Sequence, residues 1–76
     1  MRLPVVSGRE MVKLLTKQGF NPVRQKGDHV SLFKMTGSEP LLVTVPLHNE
    51  IKPGTLLSIL RQARWTREDL ERFRTE

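Results

Sequence analysis

Gln25-Lys26-Gly27-Asp28-His29-Val30 is the stretch that decides the fold, because it joins two runs of alternating side chains through a Gly-Asp turn. The run before the turn, residues 21–26, and the run after it, residues 29–34, both have the period of two that is typical of half-buried strands. A loop over residues 36–40 separates them from a third, β-branched and apolar run, residues 41–45. The sequence therefore predicts a three-stranded antiparallel meander.

The two sides of this sheet are expected to differ. Pro22 has no backbone N–H for a strand ladder, so the first strand should lie at a sheet edge or be irregular at its start. In the second strand the alternation directs Val30 and Leu32 inward. It directs three other side chains outward: His29, Ser31 and Phe33.

Helical patterns flank the strands. Ser7 and Glu10 have the spacing of a capping box, and Gly19 supplies the stop, which predicts a first helix over residues 7–18. Pro53 opens a second helix with an apolar stripe, and a second capping box at residues 66–69 begins a short terminal helix. Both long helices should cover one sheet face, because neither stripe can be buried otherwise. The predicted fold class is α+β, in the order α-β-β-β-α with a short extra C-terminal helix, as one domain over residues 1–76.

The charge is distributed unevenly. The formal net charge is +5, and the whole excess lies in residues 1–34, the half that contains His29, whereas residues 35–76 are balanced. Spare charge often serves solubility alone, but this asymmetry favours a surface that faces a polyanion. There are no cysteines, no apolar run long enough to cross a membrane and no signal-peptide pattern at the N-terminus. These features predict a cytoplasmic protein without a membrane partner.

Four segments, taken in order, resemble the HicA-type mRNA interferase toxins (the YcfA-like family), which have a fold similar to the double-stranded-RNA-binding domain. Residues 7–20 are similar to the family's first helix and its exit, and residues 24–29 to the hairpin that carries its catalytic histidine. Val45-Pro46-Leu47-His48 resembles the Pro-x-His segment after the third strand, and residues 51–63 resemble the second helix. The resemblance covers residues 7–70, and the order and spacing of the segments make it specific.

This resemblance implies a toxin of a type II toxin–antitoxin system that cleaves mRNA as a metal-independent endoribonuclease and serves a stress response. It implies an RNA substrate, a HicB-type antitoxin as protein partner and no cofactor. His29 matches the catalytic histidine. The residues themselves, apart from the resemblance, offer Arg24, Lys26 and Lys34 as the nearest cations that could hold the scissile phosphate, and with Gly27 of the turn they form the predicted substrate-binding set. One departure is Asp28, where the family usually has serine; a carboxylate repels phosphate, but it also holds an imidazolium.

The chemistry of the residues supports the same histidine. Histidine is the side chain whose ordinary pKa lies near neutrality, so His29 is suited to take or give a proton when RNA is cleaved. The sequence does not show which group carries out the second proton transfer. We interpret His48 as a residue that holds its turn by a hydrogen bond; the alternative, a second acid/base, requires it to approach His29. No metal site is expected, because the histidines and carboxylates lack ligand spacing.

Two other functions remain open from the sequence. The first is a non-catalytic RNA-binding module of the same fold, which the carboxylate of Asp28 favours. The second is a protein-interaction domain, which is compatible with the outward Phe33 but leaves the uneven charge unexplained.

Overall fold

The computed structural model describes residues 3–76, and these form the predicted elements in the predicted order. Arg2, one of the basic residues of the first half, lies outside the described residues. The elements are α1 Gly8–Lys17, β1 Asn21–Lys26, β2 His29–Thr36, β3 Glu39–Pro46, α2 Pro53–Ala63 and α3 Arg67–Thr75. The strands form one antiparallel sheet in the order β1-β2-β3, so β2 is central. The predicted α+β fold class is confirmed.

One hydrophobic core joins the helices to a single face of the sheet. Leu32 and Val43, which are paired on β2 and β3, are fully buried, as are Leu15 of α1 and Leu56 of α2. Burying one such side chain contributes about 1.5–3 kcal/mol to folding. The residue before Val43 on β3, Leu42, points to the other face and is 57% exposed. One face is therefore covered and the other is open, as predicted.

The β2–β3 hairpin is tighter than predicted. β2 continues to Thr36 and β3 begins at Glu39, so the connection consists of Gly37 and Ser38 alone. Gly37 has a φ of 55°, a left-handed conformation that glycine adopts without a steric penalty. This conformation lets two residues reverse the chain, so the prediction that residues 36–40 form a loop was wrong.

β1 is an edge strand with an irregular start. The register of its pairing with β2 shifts between Pro22 and Arg24, and every residue of the strand is exposed. The missing N–H of Pro22 accounts for the position of this irregularity.

The helix ends use the predicted caps with one difference. The Ser7 hydroxyl accepts a hydrogen bond from the Glu10 backbone N–H at 3.0 Å, but the Glu10 carboxylate accepts one from Arg74 of α3 instead of completing a capping box. At α3 the capping box between Thr66 and Asp69 is complete. Within residues 3–76, none of the helices has both the length and the apolar character that crossing a membrane requires.

Candidate active site

The open face of the sheet brings two cations beside His29. His29 begins β2 and lies directly opposite Lys26 of β1, and Ser31 lies opposite Arg24. Residues that are opposite each other in an antiparallel pair have their side chains on the same face, so both cations share the face of His29. Among residues 3–76 neither cation forms an ion pair. Their charge is therefore available to a ligand.

The turn that carries the site residues is a two-residue reversal. Gly27 has a φ of 60°, and open space surrounds the position where a Cβ would stand. The Gln25 side chain donates to the Gly27 carbonyl oxygen at 3.4 Å. This geometry places Asp28 at the tip of the hairpin, immediately before His29.

Asp28 contacts two histidines at once. Its Oδ1 lies 2.9 Å from Nδ1 of His29, and its Oδ2 lies 3.4 Å from Nε2 of His48. All three side chains are more than half exposed, at 58%, 55% and 54% for Asp28, His29 and His48. The arrangement is an accessible His–Asp–His group at the edge of a basic surface.

Backbone hydrogen bonds position His48 in this group. The Leu47 N–H donates to the Asp28 carbonyl oxygen at 2.6 Å, which ties the segment after β3 to the hairpin turn. On the other side, the Gly8 N–H at the start of α1 donates to the carbonyl oxygen of His48 at 2.9 Å. The turn, the segment after β3 and the first turn of α1 therefore meet at the site.

Lys34 is not brought to the site. It lies opposite Leu41 on β3, a residue of the covered face, and its Nζ donates to the carbonyl oxygen of Gln18 at 2.7 Å. The ammonium also lies 5.5 Å from the centre of the Phe20 ring. Lys34 thus stabilises the end of α1, at the opposite end of β2 from His29.

The proximity of His48 to Asp28 is the feature that sequence reasoning missed. The signal for it is the strand register, which pairs His29 with Pro46 and so sets the residues after Pro46 beside those before His29. A two-residue turn at Gly37 implies that register, whereas a longer loop leaves it undetermined. Within residues 3–76 there is no group of three or more histidine, aspartate or glutamate side chains arranged to hold a metal ion.

Comparison with known proteins gives one match. The comparison with curated proteins found none, and neither did the comparison with solved structures. The model of the family described as "HicA toxin of bacterial toxin-antitoxin" matches residues 8–65. The matched region begins at Gly8 of α1, includes the hairpin with His29 and the segment with His48, and ends at Trp65 beyond α2. It spans most of the chain and contains every residue of the site, and on this ground the chain belongs to the HicA toxin family of bacterial toxin–antitoxin systems.

Proposed function

We propose that the protein is an mRNA-cleaving endoribonuclease in which His29 acts as a general acid or base. The observation that carries the proposal is the position of His29: an accessible imidazole on an open sheet face, beside two cations that form no ion pair in the part of the chain that the structure describes. Membership of a toxin family supports the same role, because an mRNA-cleaving nuclease arrests growth by degrading mRNA.

The steps of RNA cleavage can be assigned to a few residues of the site. Cleavage by the 2′-OH requires a base for its proton, positive charge beside the phosphate and an acid for the 5′-oxygen. His29 supplies one of the two proton transfers. Arg24 and Lys26 bind the phosphate, and Gly27 lets the backbone of the turn approach it without a side chain in the way. We give Lys34 no part in the site, because its ammonium is engaged with Gln18 on the covered side.

The test is cleavage of a purified mRNA in EDTA by the parent protein and by His29→Ala. We expect the parent to cleave, and His29→Ala to remain folded and inactive, since a general acid or base contributes about 10²–10⁴-fold. Met35→Ala is the matched control: it shortens a 57% exposed side chain on the same strand and face, and it should cleave at the parental rate. Full activity in His29→Ala contradicts the catalytic assignment.

A substrate with a 2′-deoxy sugar at the cleaved position gives a second criterion. Because the 2′-OH is the internal nucleophile, this substrate should bind and stay intact. An mRNA that shifts in a gel but is never cut by the parent would instead identify a non-catalytic RNA-binding module of the same fold.

We further propose that the antitoxin partner is a HicB-type protein that covers the open face. That face has a basic end at Arg24 and Lys26 and an apolar end where Phe33 lies opposite Leu42. A partner with acidic side chains complements the basic end, and charge complementarity of this kind speeds association and selects partners. The double variant Arg24→Glu/Lys26→Glu should bind the antitoxin far more weakly than the parent, as measured by calorimetry. Unchanged affinity would place the partner elsewhere.

A further inference from the structure

His48 and Asp28 have no assigned part in the chemistry so far. The carboxylate of Asp28 lies between two imidazoles, at 2.9 Å from Nδ1 of His29 and 3.4 Å from Nε2 of His48. Both imidazoles therefore contact the same carboxylate group, which brings the two histidines to one place on the surface.

We propose that His48 is the second proton-transfer residue of the ribonuclease site and that Asp28 is the positioning residue that orients both imidazoles. The inference rests on the proposed function. In the reaction one imidazole accepts the proton of the 2′-OH as the bond from the 2′-oxygen to phosphorus forms. The other gives a proton to the 5′-oxygen as the bond from phosphorus to that oxygen breaks. The products are a 2′,3′-cyclic phosphate and a 5′-hydroxyl, and the two rings return to their starting states by exchanging protons with water.

The atoms in contact support this division of labour. Asp28 faces Nδ1 of His29 and Nε2 of His48, so each ring keeps its other nitrogen for the substrate. A carboxylate against one ring nitrogen sets the tautomer and the orientation of an imidazole. The side chains are 55% and 54% exposed, which leaves both rings accessible to a polymer.

A purely structural role for His48 is the rival explanation, and the backbone argues against it. The segment after β3 is already fixed by hydrogen bonds from Leu47 to Asp28, from Gly8 to His48 and from Ile51 to Val6, at 2.6, 2.9 and 2.9 Å. An ion pair between exposed side chains adds little to stability. The imidazole of His48 is therefore not needed to hold its own segment in place.

The decisive experiment compares His48→Gln with His29→Ala on two substrates under single-turnover conditions. On ordinary RNA we expect His48→Gln to cleave about 10²–10⁴-fold more slowly than the parent. The second substrate has sulfur in place of the bridging 5′-oxygen, and its thiolate leaves without protonation. The variant that lacks the general acid should recover on this substrate, and the variant that lacks the general base should not.

The controls separate this inference from the proposed function. Glu50→Gln changes an exposed side chain of the same segment and should cleave as the parent does, while thermal unfolding shows whether each variant is folded. If the parent cleaves, His29→Ala does not and His48→Gln cleaves at the parental rate, the role of His48 is overturned and that of His29 stands. Recovery of both variants, or of neither, also overturns the division of proton transfers. A parent that never cleaves overturns the proposed function itself.

Asp28→Asn tests the positioning role. It should lower the maximal cleavage rate without weakening the binding of a 2′-deoxy analogue, since the variant removes a negative charge from the RNA-binding surface. If Asp28 had only a structural role, the variant would have a lower melting temperature, and its RNA affinity and cleavage rate would fall together. A maximal rate equal to that of the parent refutes the positioning role.

Discussion

Gly8→Ala should destabilise the fold, although alanine is ordinarily the better helix residue. Gly8 is the first residue of α1 and is buried against the segment that carries His48. A Cβ added there would collide with the Pro46 carbonyl oxygen and would lie 2.7 Å from Cα of Leu47 and 2.9 Å from the Pro46 carbonyl carbon. All three neighbours are backbone atoms, so rotation of a side chain cannot relieve the collision.

Two opposing effects set the magnitude. Replacing glycine by alanine in an open helix is favourable by up to about 1 kcal/mol. Overpacking in a close-packed region costs about 1–3 kcal/mol, and rigid backbone neighbours favour the upper end of that range. We therefore expect the free energy of unfolding to fall by about 1–3 kcal/mol. For a domain of this size that corresponds to a loss of about 5–20 °C in melting temperature.

Urea and thermal unfolding followed by tryptophan fluorescence measure this change. Trp65 is the single tryptophan and packs edge-on against Phe73 at 4.7 Å between ring centres, so unfolding alters its surroundings. Gly54→Ala in the first turn of α2 is the matched control, because an added Cβ meets nothing within 4 Å there. It should be neutral or slightly stabilising. If Gly8→Ala is as stable as Gly54→Ala, the close approach of α1 to the segment after β3 is refuted.

Two further predictions concern side chains outside the site. Lys34→Ala should lower the free energy of unfolding by about 1–2 kcal/mol, because it removes a charged donor from the carbonyl oxygen of Gln18. Its RNA affinity, measured by gel shift, should equal that of the parent. A large loss of affinity would show that Lys34 takes part in RNA binding. The hydrogen bond from the Thr66 backbone, with smaller contributions from the Thr66 hydroxyl and Arg72, holds the pKa of Asp69 below its ordinary value. Asp69 therefore stabilises the fold above its unfolded pKa of about 4, and this contribution is lost as the pH falls through the lower folded value. Asp69→Asn should flatten stability over that acidic range in chemical unfolding, and an unchanged pH dependence would contradict this origin.

Local patterns predicted the elements because each depends on residues close together in the chain. Val30 and Leu32 are buried, as the alternation of the second strand predicted. Gly19, predicted to end α1, has a left-handed conformation with a φ of 98°. The capping box at Thr66 forms as its spacing predicted, whereas at Ser7 only the hydrogen bond to the Ser7 hydroxyl forms. Alternation also sets Arg24 and Lys26 on one face of β1, and the register with β2 makes this the face of His29.

Long-range relations were beyond those patterns. Lys34 was assigned to the substrate from its nearness in sequence to His29, although the alternation that directs Val30 and Leu32 inward also directs Lys34 to the covered face. The long-range relation that the pattern does not show is the hydrogen bond from its ammonium to the Gln18 carbonyl oxygen. The contact of Asp28 with His48 depends on a register that only the two-residue turn at Gly37 determines. The predicted loop was three residues too long, and for that reason the sequence did not reveal the contact between Asp28 and His48.

Asp28 shows how the surroundings of a residue change the expectation drawn from its type. A carboxylate beside a phosphate site is unfavourable when it faces the phosphate alone. Here each of its oxygens contacts an imidazole nitrogen, so its charge is directed at His29 and His48. In the reaction that we propose, the protonated ring of the general acid compensates that charge, and the charges of Arg24 and Lys26 remain for the RNA phosphate. Under this proposal the carboxylate that would repel a phosphate is instead the group that contacts both proposed proton-transfer residues, and the maximal cleavage rate of Asp28→Asn tests that role directly.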